Sequence, residues 1–443
     1  MKKMNLNFLL GLLFVSILPF IGNGQGARIE FTEFKLGNGL HVILHQDNTT
    51  PNVVVDIMYH VGAKNDYSGR TGFAHFFEHL MFEGSKNIGR GEFSEIVEKA
   101  GGELNAWTSF DITNYYVYLP SNQLELGLWL ESERLLHLVI DSIGVATQKS
   151  VVTEEMKQTR DNRPYGRLLT ETLKRSYTVH PYKSDVLGLD EHIRSATTED
   201  IKAFHDMYYV PNNAVLVIAG DIDLAKTKEL VNKYFGDIPA GNKKIIRPTV
   251  SEPRRTSEVR DTFTDNIQLP AIIHAYPLPP VGSRDYYAMD MLSTLLSDGQ
   301  SSRMYKKLVD EEQTALTVQA IPLGLEDQGL KILFGIPNMG IDPETLEQGI
   351  DKELDKVKNE LISENEFQKL LNQKESDLVN SNTSISSRAS SLANYFTMYK
   401  DADMINKQFA KYQAVTREDI QRVAREYLKK EGRVVLYYMP KAN

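Results

Sequence analysis

Residues 197–220 read TTEDIKAFHDMYYVPNNAVLVIAG and residues 416–438 read TREDIQRVAREYLKKEGRVVLYY. In the first, Thr197, Glu199, Asp200, Ile201 and Tyr208 precede the apolar run 215–218. In the second, Thr416, Glu418, Asp419, Ile420 and Tyr427 precede the run 434–437, every member displaced by 219. Each block predicts an amphipathic helix capped by a polar residue and leading into a buried strand. A chain that repeats such a unit reads as two related α/β halves, which suits 443 residues at roughly 100–200 per domain. Residues 241–255 (GNKKIIRPTVSEPRR) carry Lys, Arg and Pro without an amphipathic period and read as the linker, so the halves are 27–240 and 256–443.

Within the first half, 40–44 and 53–59 read as strands, with Gly37, Asn38 and Gly39 as a hairpin turn before Leu40. A helix is expected from about Thr71 past His79, and another over 93–100, ended by Gly101 and Gly102. Strands over 104–109 and 113–119 follow. A long helix over 124–139 then places Leu128, Leu135, Leu136 and Val139 on one face. Strands and helices interleave through hairpin-length links, so the expected class is α+β: two homologous halves, each an antiparallel-rich sheet packed with helices.

Composition narrows the chemistry. The charge is 50 − 59 = −9, which argues against attraction to nucleic-acid phosphates. Cysteine is absent, so disulfides, thiolate metal sites and cysteine nucleophiles are excluded, and any metal site must use His and carboxylates. Lys2 and Lys3 precede a mostly apolar run over 8–21, broken by Pro19 and followed by Gly22, Gly24 and Gly26. Residues 1–26 therefore read as a signal peptide, whose fourteen-residue apolar run is too short for the ~20 residues of a membrane span. An exported, periplasmic protein without a stable membrane anchor is expected, since no cysteine follows the run to carry a lipid.

The residues that carry chemistry are His75, Phe76, Phe77, Glu78 and His79. One helical turn apart, His75 and His79 share a face, with Glu78 beside them; this is the H-x-x-E-H pattern of an inverted metallopeptidase helix. A catalytic zinc site needs a third protein ligand, and either Glu154 or Glu155 in VVTEEMKQTRDNRP is the best candidate. The segments HFFEHLMFEGS, GGELNAWTSFDITNYYVYLP, VVTEEMKQTRDNRPYG and YYVPNNAVLVIAGDID together resemble the pitrilysin/insulinase family of inverted-zincin peptidases, which includes the mitochondrial processing peptidase. The resemblance runs from about Phe34 to Tyr438.

The resemblance implies one Zn2+ per chain held by His75, His79 and Glu155, with Glu78 as the general base that takes a proton from the attacking water and passes it to the leaving amine. It also implies that Asn105 and Ala106 lie on an edge strand that binds substrate peptide as an added strand. Two positions depart from the family pattern. Seven residues before the ligand glutamate the family usually has another glutamate; here it is Gln148, so Gln148→Glu is expected to raise zinc affinity. In the second half, Asp290, Ser293 and Thr294 fall where His75, Glu78 and His79 stand, which makes that half inactive. Val309 and Leu316 occupy the places of a substrate-clamping Arg and Tyr, unless Arg303 and Tyr305 serve.

The implied function is a zinc-dependent endopeptidase for short or unfolded peptides. The chain would be the zinc-bearing subunit of a two-chain enzyme, paired with a homologous subunit carrying the Arg/Tyr pair as a heterodimer, or as a homodimer. The alternative is a non-catalytic relative that binds or assembles a partner. His41, His45, His60 and His137 lack ligand spacing and read as structural. The charged stretch 351–366 reads as a solvated helical face, and the Ser-rich stretch 381–391 as a loop or a pair of helix caps.

Overall fold

The computed structural model of the chain describes residues 28–67 and 69–441. The expected signal peptide over 1–26 lies outside them. The elements run β1 Thr32–Lys35, β2 His41–Gln46, β3 Asn52–Tyr59, α1 Phe73–Leu80, α2 Glu92–Lys99, β4 Glu103–Thr108, β5 Thr113–Pro120, α3 Leu124–His137, α4 Ser142–Met156, α5 Leu168–Ser176, α6 Asp190–Ser195, α7 Thr198–Tyr208, β6 Ala214–Gly220 and α8 Leu224–Phe235. After an extended stretch come β7 Val259–Asp265, β8 Ala271–Leu278, α9 Arg284–Ser297, β9 Ala315–Leu323, β10 Gly329–Pro337, α10 Pro343–Asn359, α11 Glu364–Asn380, α12 Ile385–Tyr399, α13 Met404–Gln413, α14 Arg417–Tyr427 and β11 Val434–Pro440.

The first sheet is ordered β1-β2-β6-β3-β5-β4 and the second β7-β11-β8-β10-β9. Without β1 the two orders correspond strand for strand. In each, one pair is parallel, β2 with β6 and β7 with β11, and the rest are antiparallel. The repeated sequence block therefore has a repeated place: β6 and β11 are inner strands next to the sheet's parallel partner. The helices before them begin alike. Thr197 accepts the amide of Asp200 and Asp200 returns to the amide of Thr197; Thr416 and Asp419 do the same.

Each sheet has one face covered by its own half and one covered by the other. α12 lays Ile385, Ala389, Leu392 and Ala393, spaced i, i+4, i+7, i+8, on Ile43, Val54, Met58 and Val217 of the first sheet. α5 places Leu173 near Ile273, Leu436 and Tyr438 of the second. The halves also meet at a polar hub: Lys64, almost wholly buried, pairs with Asp111 at 3.0 Å, with Asp327 at 3.2 Å and with Glu326, which also takes His60 at 3.0 Å. The extended stretch before β7 joins in, because Arg247 donates to the carbonyl of His60 at 2.8 Å.

Three expectations need correction. α3 ends at His137, and Leu136 and Val139 are 42% and 38% exposed, because the chain turns after the helix to pair Leu138 with Ser85. The stretch 351–366 is a solvated face only in part: Lys352, Asp355, Lys356, Glu360 and Glu364 are exposed, but Glu353 is buried, Asp351 accepts from Arg433 at 2.5 Å and from Lys430 at 2.9 Å, and the helix breaks between α10 and α11. The Ser-rich stretch holds caps, Ser384 capping α12 reciprocally with Ser387, but it also supplies the apolar face just described.

Asp56 on β3 is fully enclosed, with one carboxylate oxygen accepting from Asn114 at 3.1 Å and the other unpartnered. Burial pushes its carboxyl from the ordinary 3.8 up to about 7. The folded chain thus keeps a proton that the unfolded chain has released between about pH 4 and 7. Its stability should fall through that window, by on the order of 4 kcal/mol at most. Thermal melts of Asp56→Asn should lose the share of this fall that Asp56 contributes, the variant exceeding wild type at pH 8 and not at pH 4.

Candidate metal centre

The helix that carries the two histidines is only eight residues long, too short to persist alone. Its position is imposed by neighbours. Asp66 accepts the amides of Gly72 at 2.6 Å and Ala74 at 3.1 Å, tying down the N-terminal turn, and burial raises this carboxyl to about 7. Gly72 has φ +87, and a Cβ there would stand 2.5 Å from the carbonyl oxygen of Leu187. The hydroxyl of Tyr115 on β5 donates to the carbonyl of Phe77 at 3.0 Å. Below the helix, the buried Arg134 guanidinium lies 4.4–4.7 Å from the rings of Phe82, Phe93 and Tyr115, with Glu131 3.4 Å away. Phe73, Phe76, Phe77 and Leu80 enter the core, which leaves the His75 and His79 rings turned together with centroids 4.9 Å apart.

α4 begins at Asp141, whose side chain accepts the amides of Ile143 and Gly144, and packs Val145, Val152 and Met156 into the same core. It widens into a π-type turn over Lys157–Asp161, which starts two residues after Glu155. One Glu155 oxygen stands 3.0 Å from His79 Nε2 and 3.5 Å from His75 Nε2. The two imidazoles hold its carboxyl well below the usual carboxylate range, although partial burial works against them. Glu154 points the other way, exposed and paired with Lys157 at 3.2 Å.

The donor trio fits a metal ion. Tetrahedral ligands at about 2.0–2.1 Å from zinc lie about 3.4 Å from one another, and these donors already lie within 4.8 Å. The Glu155 oxygen is buried without any other hydrogen-bond donor. Two imidazoles and one carboxylate form a donor set of net charge −1, suited to a divalent cation. Among the described residues no other group of three His, Asp or Glu side chains meets this criterion. His41 stacks on Phe396, His45 holds the carbonyl of Glu30 and His60 bonds Glu326.

Glu78 is half-buried beside the pair, close enough to Tyr115 and Tyr209 to reinforce burial in keeping both phenols un-ionised. β4 is the outer strand of its sheet, bonded only to β5. On it, Ala106 is half-buried and its amide is covered by the Asn105 side chain at 2.8 Å. In the second half, Asp290, Ser293 and Thr294 lie buried on α9. Opposite them on α11 stands Lys374, displaced from Glu155 by 219 like the repeated block, with its ammonium 2.8 Å from Asp290. Arg303 is committed to Glu366 through two bonds of 2.8 and 3.0 Å, Val309 packs against the second core and Leu316 is 55% exposed.

The profile described as Insulinase (Peptidase family M16) matches residues 41–188, and that described as Peptidase M16 inactive domain matches 195–374. The zinc protease PqqE of Helicobacter pylori is 31% identical over 446 residues, covering 99% of this chain and all of its own. The chain belongs to peptidase family M16. A crystal structure of a protease from Helicobacter pylori, 30% identical, superposes with TM-score 0.88 over 93% of this chain and all of that one. Pitrilysin shares the fold alone, at 16% identity and TM-score 0.77, across 94% of this chain and 45% of its own.

Beside this M16 centre, reading the sequence missed Asp66, Arg134 and Glu83. Glu83 had a signal, since it follows His79 by one helical turn. The Gln148 amide donates to Glu83 at 2.6 Å, and Arg90 donates to the other Glu83 oxygen at 2.9 Å. A carboxylate already stands where Gln148 was expected to leave none, which reverses the expected effect of substitution. Gln148→Glu would press two carboxylates together. Calorimetric titration with zinc should show affinity unchanged or weaker, and Glu83→Gln/Gln148→Glu should recover it.

Proposed function

We propose that the chain is a zinc-dependent endopeptidase of short or unfolded peptides, with the metal held by His75, His79 and Glu155 in a catalytic half spanning 27–240 and with 256–443 as its inactive counterpart. The observation that carries this reading is the single Glu155 oxygen facing both imidazoles across two helices. Zinc, when bound, supplies Lewis-acid chemistry, acidifying the attacking water to a pKa of about 7 and polarising the scissile carbonyl. Glu78, adjacent to His79 and half-buried, takes the proton of the attacking water and returns it to the leaving amine.

The substrate lies along the free edge of β4 as an added strand, its carbonyl displacing the Asn105 side chain from the Ala106 amide. Because main-chain bonds hold it there, the edge itself selects little among sequences. With Arg303 bound to Glu366, and Val309 and Leu316 in the clamp positions, a homologous subunit supplies the Arg and Tyr, in a heterodimer or from a second copy. The enzyme acts after export to the periplasm, directed by residues 1–26. No helix among the described residues is long and apolar enough to cross a membrane.

Glu78→Gln should retain stoichiometric zinc in metal analysis and lose about 10²–10⁴-fold in kcat/KM on a quenched peptide. Zinc retention with undiminished cleavage would remove Glu78 from the mechanism, and zinc without cleavage in wild type would favour a binding subunit. Glu155→Gln should bind zinc far more weakly while Glu154→Gln binds it as wild type does.

A further inference from the structure

A cleft of about 660 Å3 opens where the Thr108 end of β4 meets the start of α9 and the end of α12, between the two halves. Its volume falls in the range of ligand pockets, about 300–1,000 Å3. Trp107, Leu325 and Met398 line it together with Tyr286, Tyr395 and Tyr399. Asp111 is the charged group on the described wall, and it is already committed to Lys64 and to the hydroxyl of Tyr182. The cleft is thus neutral in a chain of net charge −9.

The three tyrosines are built into place. A Cβ on Gly324 would lie 2.6 Å from the Tyr286 hydroxyl oxygen, and one on Gly282, where φ is +81, would lie 2.4 Å from the Tyr399 ring. Tyr395 and Tyr399 pack together with ring centroids 6.0 Å apart. All three are half-buried, and burial pushes Tyr395 up to about 12 and the other two higher, so they remain hydroxyl donors. No hydrogen-bond acceptor within the described residues takes these hydroxyls, unlike those of Tyr115, Tyr182 and Tyr412, which bond Phe77, Asp111 and Asp290.

The cleft continues the open edge of β4. Side chains alternate along a strand: Leu104 and Ala106 pack on the face that carries α1, and Trp107 on the face that carries α12. A peptide paired with β4 alternates in the same way. At about 3.3 Å per residue, two or three further residues carry it past Thr108, and its side chains on the Trp107 face then run into the cleft. Walls that are more apolar than polar, with partnerless tyrosine hydroxyls, suit an uncharged side chain flanked by peptide carbonyls.

We propose that this cleft is a specificity subsite that takes an uncharged, apolar or aromatic flank of the substrate peptide beyond the segment paired with β4. The proposal rests on the peptidase reading above and adds which peptides the enzyme selects.

Three fluorescent peptides test it: a short one spanning β4 alone, one extended with Phe and Leu, and one extended with Glu and Lys. Their affinities are read by anisotropy on the full-length Glu78→Gln chain, and KM on the active chain. The apolar extension should bind about tenfold or more tighter than the charged one. Ser391→Trp, which fills the cleft from α12, and Asn394→Asp, which adds a charge to its wall, should erase that difference while leaving the short peptide's affinity and the melting temperature unchanged. Equal affinity for both extensions, or a preference that survives both substitutions, overturns the subsite. Cleavage of the short peptide without flank preference overturns the cleft alone; failure of the zinc-loaded chain to cleave any of the three, both as a homodimer and together with a homologous Arg/Tyr-bearing subunit, overturns the peptidase reading and the cleft with it.

Discussion

The meeting of Glu155 with two imidazoles depends on how rigidly α1 and α4 are seated against each other. A shift of one ångström in either would take the carboxylate out of range of one ring. The short α1 has little helical stability of its own, so its seat is made by Asp66 at one end, by Tyr115 on the carbonyl of Phe77 and by the Arg134 guanidinium between three aromatic rings. Arg134 and Glu131 are charges removed from water, which a core tolerates only when they are paired and ringed by polarisable groups. Removing one partner would strand the other in the wall under α1. The cluster thus ties the stability of the first core to the geometry of the centre.

The second half shows what the same scaffold does with other side chains. At corresponding places, the first half offers two imidazoles and a carboxylate, a set of metal-ligand type with no Lys or Arg in it. The second offers Asp290 and Lys374, 2.8 Å apart, a set that supplies its own cation. Lys331 extends the substitution, its buried ammonium bonded to the Ser293 hydroxyl and its pKa driven down by burial. Among the described residues a divalent ion finds no trio of His, Asp or Glu ligands there, and the Asp290 carboxylate is already neutralised by Lys374. Duplication preserved the strand order and the reciprocal caps of α7 and α14, while the polar contents of the two cores diverged.

The parts legible in the sequence were those with a local signature. The repeated block announced two capped helices and two inner strands, H-x-x-E-H placed both imidazoles on one face, and hairpin-length links pointed to antiparallel pairing. Other features depend on contacts across more than a hundred residues. α12 was hidden because its serines dominate the composition, while the stripe from Ile385 to Ala393 acquires meaning only against the first sheet. Asp351 reads as a surface charge because nothing near it in the chain reveals Arg433. Leu136 and Val139 had the spacing of a core face, yet the helix ended and the chain turned to pair with Ser85 before they could use it. The contact between Gln148 and Glu83 links α4 with the turn after α1, so only the folded chain shows that the missing glutamate has a counterpart.

An exposed strand edge invites pairing with any extended chain, and soluble proteins usually blunt such edges. Here β4 keeps its edge open, with protection limited to the Asn105 side chain over one amide and the exposed Glu103 at its start. That cover is displaceable at the cost of one hydrogen bond, about 0.5–1.5 kcal/mol net, which an incoming peptide bond restores. The surroundings of the edge are far less yielding. α12 crosses from the second half to back the first sheet, α5 returns the exchange, and the Lys64 hub joins the loop between β9 and β10 to the segment just after β4. Separating the halves would uncover two apolar sheet faces and a buried ammonium together. The free edge is therefore held in a fixed relation to both α1 and the neutral cleft, so that under the proposed reading a strand added to it would meet both within one rigid frame.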